Sequence, residues 1–117
     1  MKILIADDDA HVRSALRLLL QEHEFVAVGE AASVDELFHL LTESRPDVLL
    51  LDWDLTGLRS SPIMQRLRAI RGDLRVIAMS GRPEARSAAL CQGVGAFICK
   101  CEAPDALLTA LAYAAAN

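Results

Sequence analysis

This sequence predicts a doubly wound α/β domain, a three-layer sandwich on a parallel five-stranded sheet of order 2-1-3-4-5. Three observations carry that prediction. Short apolar runs alternate five times with amphipathic stretches, without internal repeat, low-complexity segment or linker; such alternation implies a parallel sheet covered on both faces. The most apolar run, Val48-Leu49-Leu50-Leu51, lies between the break Arg45-Pro46 and a carboxylate, Asp52, that leads into a turn. A run of this kind fits a strand buried on both sides. Finally, right-handed crossovers leave few topologies, and the order 2-1-3-4-5 puts the very apolar first and third strands at the centre.

The elements follow in order. Lys2 to Ala6 reads as the first strand, stopped by Asp7-Asp8-Asp9. Ala10 to about Glu22 is helical, with Val12, Ala15, Leu16, Leu19 and Leu20 at helical spacing and Arg13 and Arg17 on another face; Asp9 is its expected N-cap. Phe25 to Val28 is the second strand, closed by Gly29. Ser33-Val34-Asp35-Glu36 is a capping-box pattern that opens a helix to about Glu43, with Leu37, Leu40 and Leu41 inward. After the third strand and a loop through Gly57, Ser61-Pro62 reads as an N-cap followed by proline at the first helical position. That helix turns Ile63, Leu67 and Ile70 inward and ends at Gly72-Asp73. Leu74 to Met79 is the fourth strand, Pro83 to Gln92 a short helix with Gly93 as its stop, and Ala96 to Cys99 the fifth strand. Pro104 opens the last helix, Asp105 to about Ala115, with Leu107, Leu108 and Leu111 apolar.

Composition narrows the function. The 117 residues suit one domain with one core, and 53% of them are apolar. A net charge of -4 argues against a nucleic-acid footprint, which needs a basic face. No apolar run approaches the ~20 residues of a membrane span. The apolar start Met1-Lys2-Ile3-Leu4-Ile5-Ala6 is cut short by acid, so it does not read as a signal peptide, and the chain is expected to be cytosolic. Cys91, Cys99 and Cys101 are an odd number, which suggests free thiols serving as small core filler; Cys99-Lys100-Cys101 has no second pair with which to build a metal site.

The residues just past each strand carry the chemistry. Strand one delivers Asp7 and Asp8, strand three Asp52, strand four Ser80 and strand five Lys100. In a parallel sheet these ends share one edge, where ligands bind, and in the order 2-1-3-4-5 all five groups converge. Three close carboxylates repel unless a cation joins them or one stays protonated. All-oxygen ligands with room for waters suit Mg²⁺. Mg²⁺ with a carboxylate, a hydroxyl and an ammonium suits phosphoryl transfer, with Asp52 as the nucleophile.

These motifs resemble a receiver domain of two-component response regulators, over essentially the whole length. They are Ile3-Leu4-Ile5-Ala6-Asp7-Asp8-Asp9, Pro46-Asp47-Val48-Leu49-Leu50-Leu51-Asp52, Val76-Ile77-Ala78-Met79-Ser80-Gly81 and Gly95-Ala96-Phe97-Ile98-Cys99-Lys100. The resemblance implies a flavodoxin-like, CheY-like (βα)5 fold; the chemotaxis protein of that family is itself a standard example of this strand order. It also implies Asp52 as phosphoacceptor and Asp7, Asp8, Asp52 and the Asp54 backbone carbonyl as ligands of Mg²⁺. Ser80 is then the switch hydroxyl, Lys100 the phosphate-pairing cation and Phe97 an aromatic that turns inward on phosphorylation. Such a domain is phosphorylated by a sensor histidine kinase and catalyses its own phosphorylation and dephosphorylation without being a turnover enzyme. The stretch Cys99 to Leu111 looks most like NarL/FixJ-type receivers. That similarity implies that residues 1–117 form the receiver of a regulator with a C-terminal helix-turn-helix DNA-binding domain, and so a transcriptional output.

The sequence departs from the family at four places. Thr56 precedes Gly57 where a proline is usual. Gly81 follows the hydroxyl where alanine is usual, and Cys101 follows Lys100 where proline is frequent. Asp54 adds a fourth carboxylate, which either orients water or faces solvent, the second being preferred here. Trp53 shields the site, reports on it by fluorescence, or is simply packed, the last being preferred. The small side chains of Ala110 to Ala116 suit a homodimer through the fourth helix, fifth strand and fifth helix. Two alternatives stand beside the receiver. Asp52-Trp53-Asp54-Leu55-Thr56 matches the DxDxT pattern of haloacid-dehalogenase-like phosphatases, although there the pattern sits on the first strand and the acid pair comes last. A pseudo-receiver that binds partners without phosphorylation is the other.

Overall fold

Strand β3 (Val48–Asp52) is buried along its whole length, and the domain is layered around it. The computed structural model describes residues 1–58, 62–102 and 104–116. In chain order the elements are β1 (Lys2–Ala6), α1 (Ala10–Glu22), β2 (Val26–Ala31), α2 (Val34–Ser44), β3, α3 (Ile63–Ile70), β4 (Arg75–Ser80), α4 (Ala85–Cys91), β5 (Ala96–Cys99) and α5 (Pro104–Ala116). The sheet is parallel, in the order β2-β1-β3-β4-β5, as expected.

Because successive strand side chains point to opposite faces, the central strands feed two cores. Leu4, Ala6, Leu49, Leu51, Val76 and Ala78 pack with Leu37 and Leu41 of α2, Ile63 and Leu67 of α3 and Ala89 of α4. Ile3, Ile5, Val48, Leu50, Ile77 and Met79 pack with Leu16 and Leu20 of α1 and Leu107 and Leu111 of α5. Strand registers such as Ile5↔Leu50 and Leu50↔Ile77 keep the C-terminal ends of β1, β3 and β4 level, and that edge holds the site.

The expected caps form. Asp9 accepts from the N–H groups of His11 and Val12, and Ser33 from that of Glu36, satisfying donors that the first helical turn leaves open. Gly93 ends the segment after α4 with φ +98°, a conformation that glycine adopts without penalty.

Several details differ from expectation. β2 does not close at Gly29 but runs through it to Ala31. A Cβ at Gly29 would lie 3.2 Å from Leu4 Cδ1, so this glycine serves close approach between strands. Ile70, expected inward, is 47% exposed because α3 ends there. Ala15 also faces solvent; the sheet meets only the narrower stripe of α1 built on Leu16 and Leu20. α4 starts at Ala85, two residues after Pro83, and β4 spans Arg75–Ser80. The expected N-cap Ser61 lies outside the described residues, and Pro62 stands immediately before α3. The cysteines are not all free thiols. Cys91 is free and exposed, whereas Cys99 and Cys101 form a disulfide. The chain turns over at Lys100 and brings their Cα atoms to 5.3 Å, a separation that a disulfide bridges without backbone movement.

Candidate functional site

Each predicted site residue sits where its strand stops. Asp7 follows β1 and is fully buried, Asp52 ends β3 at 2% exposed, and Ser80 ends β4, fully buried. Lys100 follows β5, and its N–H donates to the Ser80 carbonyl at 2.8 Å, which ties the ends of β4 and β5 together. Carboxylate oxygens of Asp7, Asp8 and Asp52 lie within 4.8 Å of one another. Lys100 Nζ is 2.7 Å from Asp7 Oδ2 and 3.4 Å from Asp52 Oδ1. Side chains from positions 7 to 100 therefore meet at one edge of the sheet.

The backbone around the acids is braced. Asp7 N–H donates to the Ala31 carbonyl, so the extra length of β2 holds the acid pair. Arg13 donates to the Asp7 carbonyl at 2.7 Å, and Arg13 and Arg17 both bind Glu30 of β2. The Asp7 carboxylate accepts from Asp9 N–H, and Asp52 Oδ1 accepts from Asp54 N–H at 3.0 Å. Thr56, standing where proline is usual, donates its hydroxyl to Asp8 Oδ2 at 3.3 Å; Gly57 beside it has φ +91°.

Electrostatics follow from this crowding. Burial pushes the Asp52 carboxyl above its ordinary range, and nearby Asp7 adds to the rise; the Asp54 N–H and Lys100 oppose it without cancelling it. Burial pulls Lys100 down, but its bond to Asp7 and the attraction of Asp52 and Asp7 outweigh that and raise it. Lys100 is thus a fixed cation. One ammonium among three carboxylates leaves a net negative, all-oxygen cluster, the donor set that hard divalent cations take. Asp7, Asp8 and Asp52 are positioned to bind Mg²⁺.

The other side of Asp52 departs from expectation. Ser80 Oγ donates to Asp54 Oδ2 at 2.8 Å and accepts from Arg82 N–H at 3.0 Å. Arg82 Nε lies 3.1 Å from Asp54 Oδ1. Asp54 therefore does not simply face solvent; it holds the Ser80 hydroxyl and is held by Arg82. Sequence spacing reveals neither Arg82 nor Thr56 as part of the site, since no rule pairs residue 82 with 54 or residue 56 with 8. Phe97 is buried, at 3% exposed, with the Arg86 guanidinium 5.1 Å from its ring centroid. Trp53 is packed in the core beside the site.

The comparisons agree with this geometry. Residues 3–112 match the family model described as response regulator receiver domain. The chain is 32% identical to a putative transcriptional regulator of Pseudomonas aeruginosa over 93% of its own length and 54% of that protein. It is 30% identical to the nitrate/nitrite response regulator NarL of Escherichia coli over 98% of its length and 55% of that protein. It thus spans about half the length of the curated relatives it matches. Among solved structures it resembles RcsB of Salmonella enterica serovar Typhimurium bound to promoter rprA in the presence of the phosphomimetic BeF3-. That match has a TM-score of 0.87 at 26% identity and covers 98% of each chain.

Proposed function

The chain belongs to the response regulator receiver domain family of two-component signalling, and from that premise we propose that Asp52 is the phosphoryl acceptor and the other site residues serve it. The observation that carries the reading is the meeting of Asp7, Asp8, Asp52 and Lys100 at one sheet edge. A histidine kinase would present phosphohistidine there. The phosphorus–nitrogen bond breaks as a carboxylate oxygen of Asp52 bonds to phosphorus, and the freed imidazole takes up a proton from solvent. Asp54 N–H and Lys100 on Oδ1 fix the plane of the nucleophilic carboxylate. Asp7, Asp8, Asp52 and the Asp54 carbonyl would hold Mg²⁺, which supplies charge neutralisation for the phosphoryl oxygens. Lys100 neutralises the remaining charge, and Ser80 leaves Asp54 to donate to the phosphoryl group.

The readout belongs to α4, β5 and α5. A new dianion that draws Ser80 away releases Asp54 and Arg82, and Arg82 leads directly into the segment before α4. Phe97, beneath Arg86, is the aromatic that reports the change to this face. A homodimer through α4, β5 and α5 and a DNA-binding domain following residue 117 are the proposed output, in keeping with the Pseudomonas relative, a putative transcriptional regulator. Among the described residues no helix is long and apolar enough to cross a membrane. The haloacid-dehalogenase-like alternative meets two obstacles: the acid pair follows β1 and Asp52 ends β3, and Asp54, the general acid in that reading, is bound by Arg82 and Ser80.

The test is incubation with acetyl phosphate and Mg²⁺ followed by intact-mass measurement. Wild type should gain one phosphoryl group and Asp52→Asn none. Equal labelling of the two proteins would move the acceptor elsewhere, and no labelling of either would remove the reading.

A further inference from the structure

Cys99 and Cys101 bracket Lys100, and their sulfurs are joined. We propose that this pair is a reversible oxidation site that takes low-molecular-weight disulfides, and that closing the bridge holds Lys100 over the acceptor. The proposal rests on the reading of Asp52 as phosphoacceptor.

The local geometry brings the two sulfurs together and gives them different access. β5 ends at Cys99, which is 3% exposed, whereas Cys101 is exposed in the turn that follows. Cys99 N–H donates to Glu102 Oε1, and Glu102 N–H donates back to the Cys99 carbonyl, each at 2.9 Å. This turn folds residue 101 over residue 99. Cys101, exposed in this turn, is open to a small reagent from solvent.

The consequence for the site is direct. The bridge closes a small covalent ring that contains the backbone of Lys100, and a ring removes conformations from the residue it encloses. Lys100 donates its N–H to Ser80 and its ammonium to Asp7, so narrowing its backbone narrows the placement of the cation. Pre-placed charge is what phosphoryl transfer uses. Where glutathione keeps most thiols reduced, the disulfides that do form are transient or redox-sensing.

The exchange balances in two steps. The Cys101 thiolate attacks one sulfur of a small disulfide; that sulfur–sulfur bond breaks, a mixed disulfide forms and one small thiol leaves. Cys99 Sγ then attacks the Cys101 sulfur, and the second small thiol leaves. The protein loses two hydrogens and two electrons, and the small disulfide gains both. Reduced small thiol reverses the sequence.

The experiment uses the Cys91→Ser background, so that the exposed thiol on α4 cannot interfere. The protein is equilibrated over a series of reduced-to-oxidised glutathione ratios. The bridge is scored by alkylation and intact mass, and labelling by acetyl phosphate with Mg²⁺ is timed at each ratio. The oxidised form should label at least about threefold faster than the reduced form, the effect of better placement of one charged group. Cys101→Ser, an exposed substitution, should label at the reduced rate at every ratio. A pair that never bridges even under full oxidation overturns the proposal, as do equal rates in the two forms or a Cys101→Ser protein that keeps the redox dependence. Absence of labelling at every ratio would instead count against Asp52 as acceptor.

Discussion

Asp52 has two differently built sides. On one, Asp7 and Lys100 are in place: the ammonium already touches both carboxylates it serves, and β1 and β2 brace the acids. On the other, Ser80 is buried yet points its hydroxyl at Asp54, while Arg82 holds Asp54 from outside. If Asp52 is the acceptor, as proposed, the first side is organised for arrival of a phosphoryl group. The second is organised for its absence, because its hydrogen bonds must be exchanged once the group is there. Reception is thus preorganised and response is stored as a set of alternative bonds.

The largest expected effect tests the receiving side. Lys100→Ala should slow acetyl-phosphate labelling about 100-fold, the scale of losing one preorganised charge partner, and should lower the melting temperature. Mg²⁺ should recover more of that loss in the mutant than it adds to wild type, since a second cation replaces the missing one. A mutant that labels at the wild-type rate would erase the distinction between the two sides.

Next comes stability. Asp52 binds its proton more tightly in the native state than its ordinary 3.8. Its contribution therefore favours folding below that value and is lost as pH rises through the raised folded value. At neutral pH the wild type carries a cost that Asp52→Asn lacks. Thermal denaturation should find Asp52→Asn several degrees more stable at pH 7, with the gap closing below the unfolded value. A gap that widens in acid would reverse the sign of the charge argument.

The responding side should give smaller effects. Asp54→Asn removes an anionic acceptor from Ser80 and a negative charge from the path of the phosphodonor; labelling should quicken about fivefold, the scale of ~1 kcal/mol for one hydrogen bond. Smallest is Arg82→Ala, which exposes the Asp54 charge and should slow labelling about twofold, as for an exposed ion pair. That effect should fade at high salt and vanish in the Asp54→Asn background. If Arg82→Ala acts equally in both backgrounds, the two residues do not work as a unit.

The same division marks what the sequence can reveal. Asp7, Asp52, Ser80 and Lys100 are legible because strand ends in a parallel sheet are predictable once apolar runs and helical periods alternate. Helix caps at Asp9 and Ser33 are legible because capping is local. Arg82 on Asp54 and Thr56 on Asp8 are not, because loop side chains choose partners by geometry that spacing does not encode. Ile70 and Ala15 satisfy the helical period but lie beyond the stripe that the sheet covers. The bridge between Cys99 and Cys101 depends on a turn at Lys100 that no residue there announces.

Arg86 fastens three parts of the responding face at once. Its guanidinium sits over the Phe97 ring and pairs with Glu102, whose same oxygen also accepts the Cys99 N–H. A helix, a strand side chain and the crossover to α5 are thereby riveted by one residue. A displacement of α4 would release ring and carboxylate together, so its travel is expected to be a step between two seats and not a slope.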